Sequence, residues 1–217
     1  MILRLAGEGA SRLLLDIGAA HGYLAEAFRL QGFRVTGIEA DRVMGEEAAR
    51  HCDHFLAIDL DGPLPAFPEP FDVMVFGDVL EHLKNPLNVL RQLTASLKED
   101  GAVIVSLPNV ANLYIRLNLL LGRFDYQDRG ILDRTHLHFF TRKSFLQFLH
   151  CADLVPEKLT AAPIPLPLVV PKHYQGSLFA AVHAMNAWLA RRWPTLFGYQ
   201  FVAVARKRRR RIYETAA

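Results

Sequence analysis

The chain has 217 residues, 51% of them hydrophobic and 22% charged, which is enough for one sizeable core and reads as a single domain. The formal net charge is +3, yet Arg206-Lys207-Arg208-Arg209-Arg210-Arg211 alone supplies more than that, so the remainder is slightly acidic and no nucleic-acid partner is expected. Two distant cysteines, Cys52 and Cys151, exclude a disulfide framework; with no signal-like start and no apolar run of about 18 residues, the expected location is cytoplasmic.

The run Leu13-Leu14-Leu15-Asp16-Ile17 reads as a strand buried on both faces. Gly18-Ala19-Ala20-His21-Gly22 follows, and a helical pattern through Leu24, Ala27 and Phe28 begins at once. Strand, small-residue turn and helix make the first unit of a nucleotide-binding α/β fold. Small residues predict close approach of a ligand to the backbone, and the N–H groups opening the helix favour polar or anionic ligand groups. The second strand, within Phe33–Asp41, ends in Glu39, 21 positions after Gly18. That spacing brings a carboxylate to the two ribose hydroxyls of an adenosine-containing cofactor. Gly37 is read as permitting close approach just before it.

A helix over Arg42–Arg50 leads to a third strand, Phe55–Leu60. Asp59 is placed to accept from an adenine amino group, with Leu60 packing on the ring. The proline-rich stretch Gly62–Pro70 is a loop. A fourth strand runs from Phe71 through Phe76 and opens into Asp78, Glu81 and His82 at its carboxyl end, where open α/β sheets place ligands. After a helix from Pro86, Lys98-Glu99-Asp100-Gly101 turns into a fifth strand, Ala102–Leu107.

Beyond it lie an apolar helix over Asn109–Leu121, an irregular polar stretch Gly122–Phe140, and a helix N-capped by Thr141. Leu154–Leu159 reads as the sixth strand, and Ala162–Pro171, with four prolines, as a linker or lid segment. A helix at about 177–192 and a last strand, Phe201–Ala205, complete the set. The expected fold class is α/β, a doubly wound, mostly parallel seven-stranded sheet with helical insertions after strands five and six. One domain spans 1–206, its insertions at about 109–140 and 163–195 forming an acceptor lid, and 207–217 is a basic tail.

In its order of motifs the chain resembles the class I S-adenosylmethionine-dependent methyltransferases, whose sheet is Rossmann-like. The resemblance rests on Asp16-Ile17-Gly18-Ala19-Ala20-His21-Gly22, Glu39, Asp59, Phe71-Asp72-Val73, Asp78-Val79-Leu80-Glu81-His82-Leu83 and Leu97-Lys98-Glu99-Asp100-Gly101. Within that superfamily it is similar to small bacterial methyltransferases of glycan and surface-polysaccharide synthesis. This closer likeness rests on Ser106–Leu113, Leu121–Tyr126, Leu132–Thr141 and Leu196–Phe201. The resemblance implies S-adenosyl-L-methionine as donor and S-adenosyl-L-homocysteine as product, held by Asp16, Gly18, Ala20, Gly22, Glu39, Asp59, Leu60 and Asp78.

Ala20 stands where the family usually has glycine, which works while φ stays negative there. A dinucleotide fingerprint beginning at Gly18 would want glycine at Ala20 and Tyr23, which disfavours a nicotinamide-dependent oxidoreductase. A methyltransferase-like module without catalysis is the other rival. The chain lacks the Asn/Asp-Pro-Pro-aromatic run of amino-nitrogen methyltransferases, which favours an oxygen acceptor: a sugar, a lipid-linked intermediate or a quinone-like phenol. A hydroxyl acceptor needs a base, and the candidates are His82, His136 and His138, with Asp133 orienting His136. No grouping along the chain has metal-ligand spacing, so no metal is expected. The apolar helices and basic tail suggest peripheral contact with an inner membrane face.

Overall fold

The computed structural model describes residues 1–208. Seven strands, β1 (Leu13–Ile17), β2 (Arg34–Glu39), β3 (His54–Ala57), β4 (Phe71–Gly77), β5 (Leu97–Pro108), β6 (Leu154–Ala162) and β7 (Gln200–Lys207), form one sheet. Their spatial order is β3-β2-β1-β4-β5-β7-β6. Strands β1 to β5 pair in parallel, and β7 runs antiparallel to both β5 and β6. The helices are α1 (Ile2–Ala6), α2 (Tyr23–Leu30), α3 (Arg42–Ala48), α4 (Pro86–Ala95), α5 (Leu113–Leu120), α6 (Arg142–Cys151), α7 (Leu166–Val169), α8 (Ser177–Arg192) and α9 (Pro194–Phe197).

The expected doubly wound, seven-stranded sheet is therefore present, and its centre explains the leucine run. Flanked by β2 and β4, β1 buries Leu14 and Leu15 on opposite faces. Leu15, Ile17, Ile38, Met74 and Phe76 meet Leu90, Leu93, Phe145 and Leu149 from α4 and α6. Leu14, Val35, Val73 and Val75 meet Ala25 and Phe28 from α2. The chain leaves β1 towards β2 and β3, then returns to its other side as β4. That reversal opens a crevice at the carboxyl ends of β1 and β4, the place where such sheets bind ligands.

Several boundaries differ from those expected. The third strand ends at Ala57, and Leu60 turns into the core. β5 begins at Leu97, because Leu97 pairs with Phe71 ahead of a register shift, so Lys98–Gly101 lies within the strand. β6 continues to Ala162, opposite Gln200. Arg206 and Lys207 belong to β7 rather than to a solvated tail: Arg206 pairs with Glu157 at 2.9 Å and Lys207 Nζ donates to the Leu97 carbonyl at 2.5 Å. The remainder of the expected basic tail, 209–217, lies outside the described residues.

Both insertions are tied to the sheet. Buried Asn109 donates through Nδ2 to the carbonyls of Thr195 (3.0 Å) and Gly198 (2.9 Å), and Asn112 donates to Gly198 at 2.9 Å. Two stretches that stand far apart in sequence, 106–113 and 196–201, are thus one structural unit. Gly198 has no room for a side chain, since a Cβ would lie 2.4 Å from the Pro194 carbonyl oxygen. The segment after α5 is pinned by the amides of Leu137 and His138, which donate to the Glu81 carbonyl. Thr141 caps α6 as expected, in a reciprocal pair with Ser144. On the outside, α5 and α8 leave Leu117, Leu120, Leu178, Val182, Met185 and Trp188 exposed, and no described helix is long and apolar enough to cross a membrane.

Asn109→Ala would strand buried carbonyl groups at this junction. It is expected to lower unfolding free energy by about 1–3 kcal/mol, measured by urea denaturation.

Candidate active site

The site has two halves, met in turn along the carboxyl edge of the sheet. The first is the turn after β1. Gly18, Ala20 and Gly22 all have positive φ, at 72°, 46° and 81°. Gly18 and Gly22 are needed for packing as well as conformation: a Cβ on Gly18 would lie 2.9 Å from Val79 Cγ2, and one on Gly22 would lie 2.8 Å from Ala48 Cα. Protein atoms occupy those spaces, so packing within the fold by itself requires glycine at both positions. Gly37 has the same explanation, because a Cβ would lie 2.5 Å from Cys52 Sγ. Ala20 does not keep the negative φ that would make it an easy replacement for glycine. The left-handed conformation costs a non-glycine residue about 1–2 kcal/mol.

What holds Ala20 there is Glu39. Its Oε2 accepts from the Ala20 amide at 2.8 Å, and its Oε1 accepts from Ala40 and Asp41 at 2.9 Å. The acid ending β2 thereby lies against the turn ending β1, with accepting capacity left on its oxygens. Beneath the turn, Asp16 is fully buried and its Oδ2 has no partner. Burial first, and the nearby Glu39 charge second, push the Asp16 carboxyl up to about 7. The amides of Gly18, Ala19, Ala20 and Gly22 are committed to the Ile38 carbonyl, Glu39 and the Ala19 carbonyl, so the orphaned Asp16 oxygen beneath the turn is what suits a ligand that brings a donor or a cationic group. His21 is engaged elsewhere, its Nδ1 lying 2.7 Å from Glu47 Oε2. Asp59 is exposed, with Oδ1 accepting from the Asp61 amide at 2.9 Å, while Leu60 is buried in the core.

The second half follows β4. Asp78 has φ 56°, a conformation that aspartate tolerates better than most residues. Its Oδ1 accepts from Ser106 Oγ on β5 at 2.8 Å and its Oδ2 from Gln200 Nε2 on β7 at 2.5 Å. Loss of water around the carboxyl raises its pKa, opposed by those two donors and by His136 and His82. Val79, leaning on Gly18, joins the halves. Glu81, in the turn Leu80–His82, is wholly buried and neither carboxyl oxygen has a partner; burial, then Asp78, pushes it up to about 9.

Across from Glu81 stands His136, with Nε2 3.9 Å from Glu81 Oε1 and its ring centroid 4.7 Å from that of His82. Burial lowers the His136 pKa, and its Nδ1 bonds to the Ile131 carbonyl at 3.1 Å, so Nδ1 carries the proton. Asp133 was expected to orient His136. It acts on His82 instead: Thr135 Oγ1 donates to Asp133 Oδ1 at 2.6 Å and lies 2.9 Å from His82 Nδ1. With the hydroxyl proton committed to the carboxylate, His82 Nδ1 must be the donor to Thr135, and its free lone pair is on Nε2.

The structure thus gathers Asp78, His82, Asp133 and His136 in one cluster, and Asp16, Gly18, Ala20, Gly22 and Glu39 in another. His138 enters only through its backbone. Thr135, Ser106 and Gln200 were given no role from sequence. Thr135 had a usable signal, since Asp-x-Thr readily makes a side-chain-to-amide turn, here with Thr135 N 2.8 Å from Asp133 Oδ1.

A family model described as a methyltransferase domain matches residues 1–159. A ubiquinone biosynthesis O-methyltransferase of Actinobacillus pleuropneumoniae serotype 5b is 32% identical over 106 residues, covering 44% of this chain and 45% of that protein. The match thus spans less than half the length of that relative. Among solved structures, a SAM dependent methyltransferase from Archaeoglobus fulgidus superposes with TM-score 0.63 at 18% identity, over 95% of this chain and 89% of that one. The Burkholderia thailandensis 1,6-didemethyltoxoflavin-N1-methyltransferase, with bound 1,6-didemethyltoxoflavin and S-adenosylhomocysteine, gives 0.60 at 19% identity, over 95% and 75%. At such identities these two structures speak for the fold.

Because its folded pKa is raised, Asp16 binds a proton in the native state between about pH 4 and 7 that the unfolded chain has released. Its contribution to stability therefore falls as pH rises through that window and levels off above it. Asp16→Asn is expected to flatten this decline relative to wild type, measured as denaturation midpoints from pH 4 to 8.

Proposed function

The chain belongs to the methyltransferase-domain family, and from that premise we propose that it moves a methyl group from S-adenosyl-L-methionine to a hydroxyl oxygen of a small acceptor. The observation that carries the reading is Glu39 held against the Ala20 amide, a ribose-binding carboxylate beside the turn that would face the donor. Asp16, the turn Gly18–Gly22, Glu39 and Asp78 are the residues that would hold the cofactor, and the partnerless Asp16 oxygen is the feature that fits its ammonium. When bound, the cofactor supplies a methyl group on a sulfonium, which an oxygen nucleophile displaces in line. This chain's own contribution is to align the acceptor and relieve it of a proton.

That proton leaves at the His82–His136 cluster. Both rings have Nδ1 engaged outwards, which fixes their tautomers and leaves Nε2 as the unprotonated atom. Asp133 acts through Thr135 as a positioning pair for His82. The acceptor is a phenol or other hydroxyl on an apolar small molecule. Supporting this are the exposed leucines of α5 beside the polar insertion and the likeness to the Actinobacillus ubiquinone biosynthesis O-methyltransferase. The same apolar surface, with that of α8, supports peripheral contact with a membrane carrying such an acceptor. A sugar hydroxyl, as the glycan-type motifs imply, is the competing class.

A labelled-donor screen against catechol-like quinone precursors, nucleotide-sugars and glycan fragments tests the reading; transfer to phenols is expected, and transfer confined to sugars or to nitrogen would overturn the phenolic assignment. With the accepted substrate, Thr135→Val is expected to lower kcat about tenfold or more with donor affinity unchanged, and Thr135→Ser to restore it.

A further inference from the structure

We propose that Glu81, His82 and His136 form a binding site for a first-row divalent cation, through two imidazole nitrogens and one carboxylate oxygen. Each residue offers one ligand atom, and the three atoms lie within 4.8 Å of one another. The inference concerns binding, and it deepens the proposed function by giving the deprotonating cluster a means of action.

The strongest indication is Glu81. A carboxyl group that is wholly buried with both oxygens partnerless is costly unless something absent from the chain satisfies it. At 3.9 Å, His136 Nε2 is too far to be a hydrogen-bond partner. Two ligands at ~2.1 Å from a tetrahedral cation lie ~3.4 Å apart, so this pair needs to close by only about half an ångström.

The second indication is the surrounding shell. Metal-binding imidazoles almost always donate their other N–H to a carbonyl or carboxylate, which fixes the ring and leaves one lone pair for the metal. His136 does so to the Ile131 carbonyl, and His82 does so through Thr135 to Asp133. Nothing about base catalysis alone requires both rings to be fixed in this way around a buried acid. Two nitrogens and a carboxylate suit manganese, iron, cobalt, nickel or zinc better than magnesium or calcium, and leave positions open for a further ligand.

In the proposed reaction an open position takes the acceptor oxygen. With the cation bound, the imidazoles would serve as ligands in place of bases: the cation would stabilise the acceptor's conjugate base and the proton would leave to solvent. The oxygen then bonds to the methyl carbon as the carbon–sulfur bond breaks, leaving a thioether. The sequence reading expects no metal, since no grouping along the chain has metal-ligand spacing and His136 lies 54 positions after His82.

The test is titration of the untagged, chelator-stripped chain with Mn2+, followed by electron paramagnetic resonance, with S-adenosylhomocysteine binding measured by calorimetry on the same samples. One saturable site with nitrogen hyperfine coupling is expected, weakened at least tenfold in both Glu81→Gln and His82→Ala while those variants still bind S-adenosylhomocysteine. Absence of a saturable site, or equal Mn2+ affinity in wild type and both variants, would overturn the cation site. Retained S-adenosylhomocysteine binding in that case would leave the methyltransferase reading standing. Should the variants fail to fold, Thr135→Val gives the second measure: affinity is expected to fall about 10- to 100-fold, and no change would overturn the proposal.

Discussion

A carboxylate at the end of one strand reaching the backbone amides at the end of its neighbour is the constraint on which the rest depends. Glu39 can bond the Ala20 amide only because β1 and β2 run parallel in a register that pairs Ile17 with Ile38. That register places both strand ends at the same edge. The bond holds an alanine in a left-handed conformation and keeps Glu39 at the rim of the crevice. Asp16 is buried beneath the same turn because β1 is the central strand, shielded on both faces.

The second half of the site depends on a different constraint, the insertion folded back over β4. The Glu81 carbonyl accepts from two insertion amides, which fixes His136 above a carboxyl group that has no partner of its own. Ser106 and Gln200 fix Asp78 from β5 and β7, so the antiparallel hairpin ending the sheet contributes directly to the site. Asn109 and Asn112 bind the start of the insertion to the turn before β7, and thereby stabilise both supports at once.

Much of this was legible in the sequence, and the exceptions share a physical cause. The leucine run, the acid at residue 39 and the capping threonine at 141 are local signals, set by strand burial, unit spacing and helix capping, and each appears where expected. Gly18, Gly22 and Gly37 have a packing requirement that the sequence does not show. Their space is filled by Val79, Ala48 and Cys52, neighbours that only the tertiary fold supplies. Asp133 was assigned to the histidine nearest in sequence, whereas Thr135 turns its effect towards His82. The Glu81–His82–His136 grouping is not visible in the sequence because Glu81 and His82 follow β4, whereas His136 comes from the insertion after β5. Strand ends slipped where pairing partners, rather than propensity, decide length, as at Leu97 and Ala162.

The central claim, an adenosyl cofactor gripped at the rim by Glu39, is tested most directly by calorimetric titration of wild type and Glu39→Ala with S-adenosylhomocysteine. Loss of hydrogen bonds to a charged group predicts saturable binding to wild type, weaker by about 1.5–3 kcal/mol in the variant, with the variant folded by its thermal transition. Equal affinity in the two proteins, or no binding to wild type, would contradict the account.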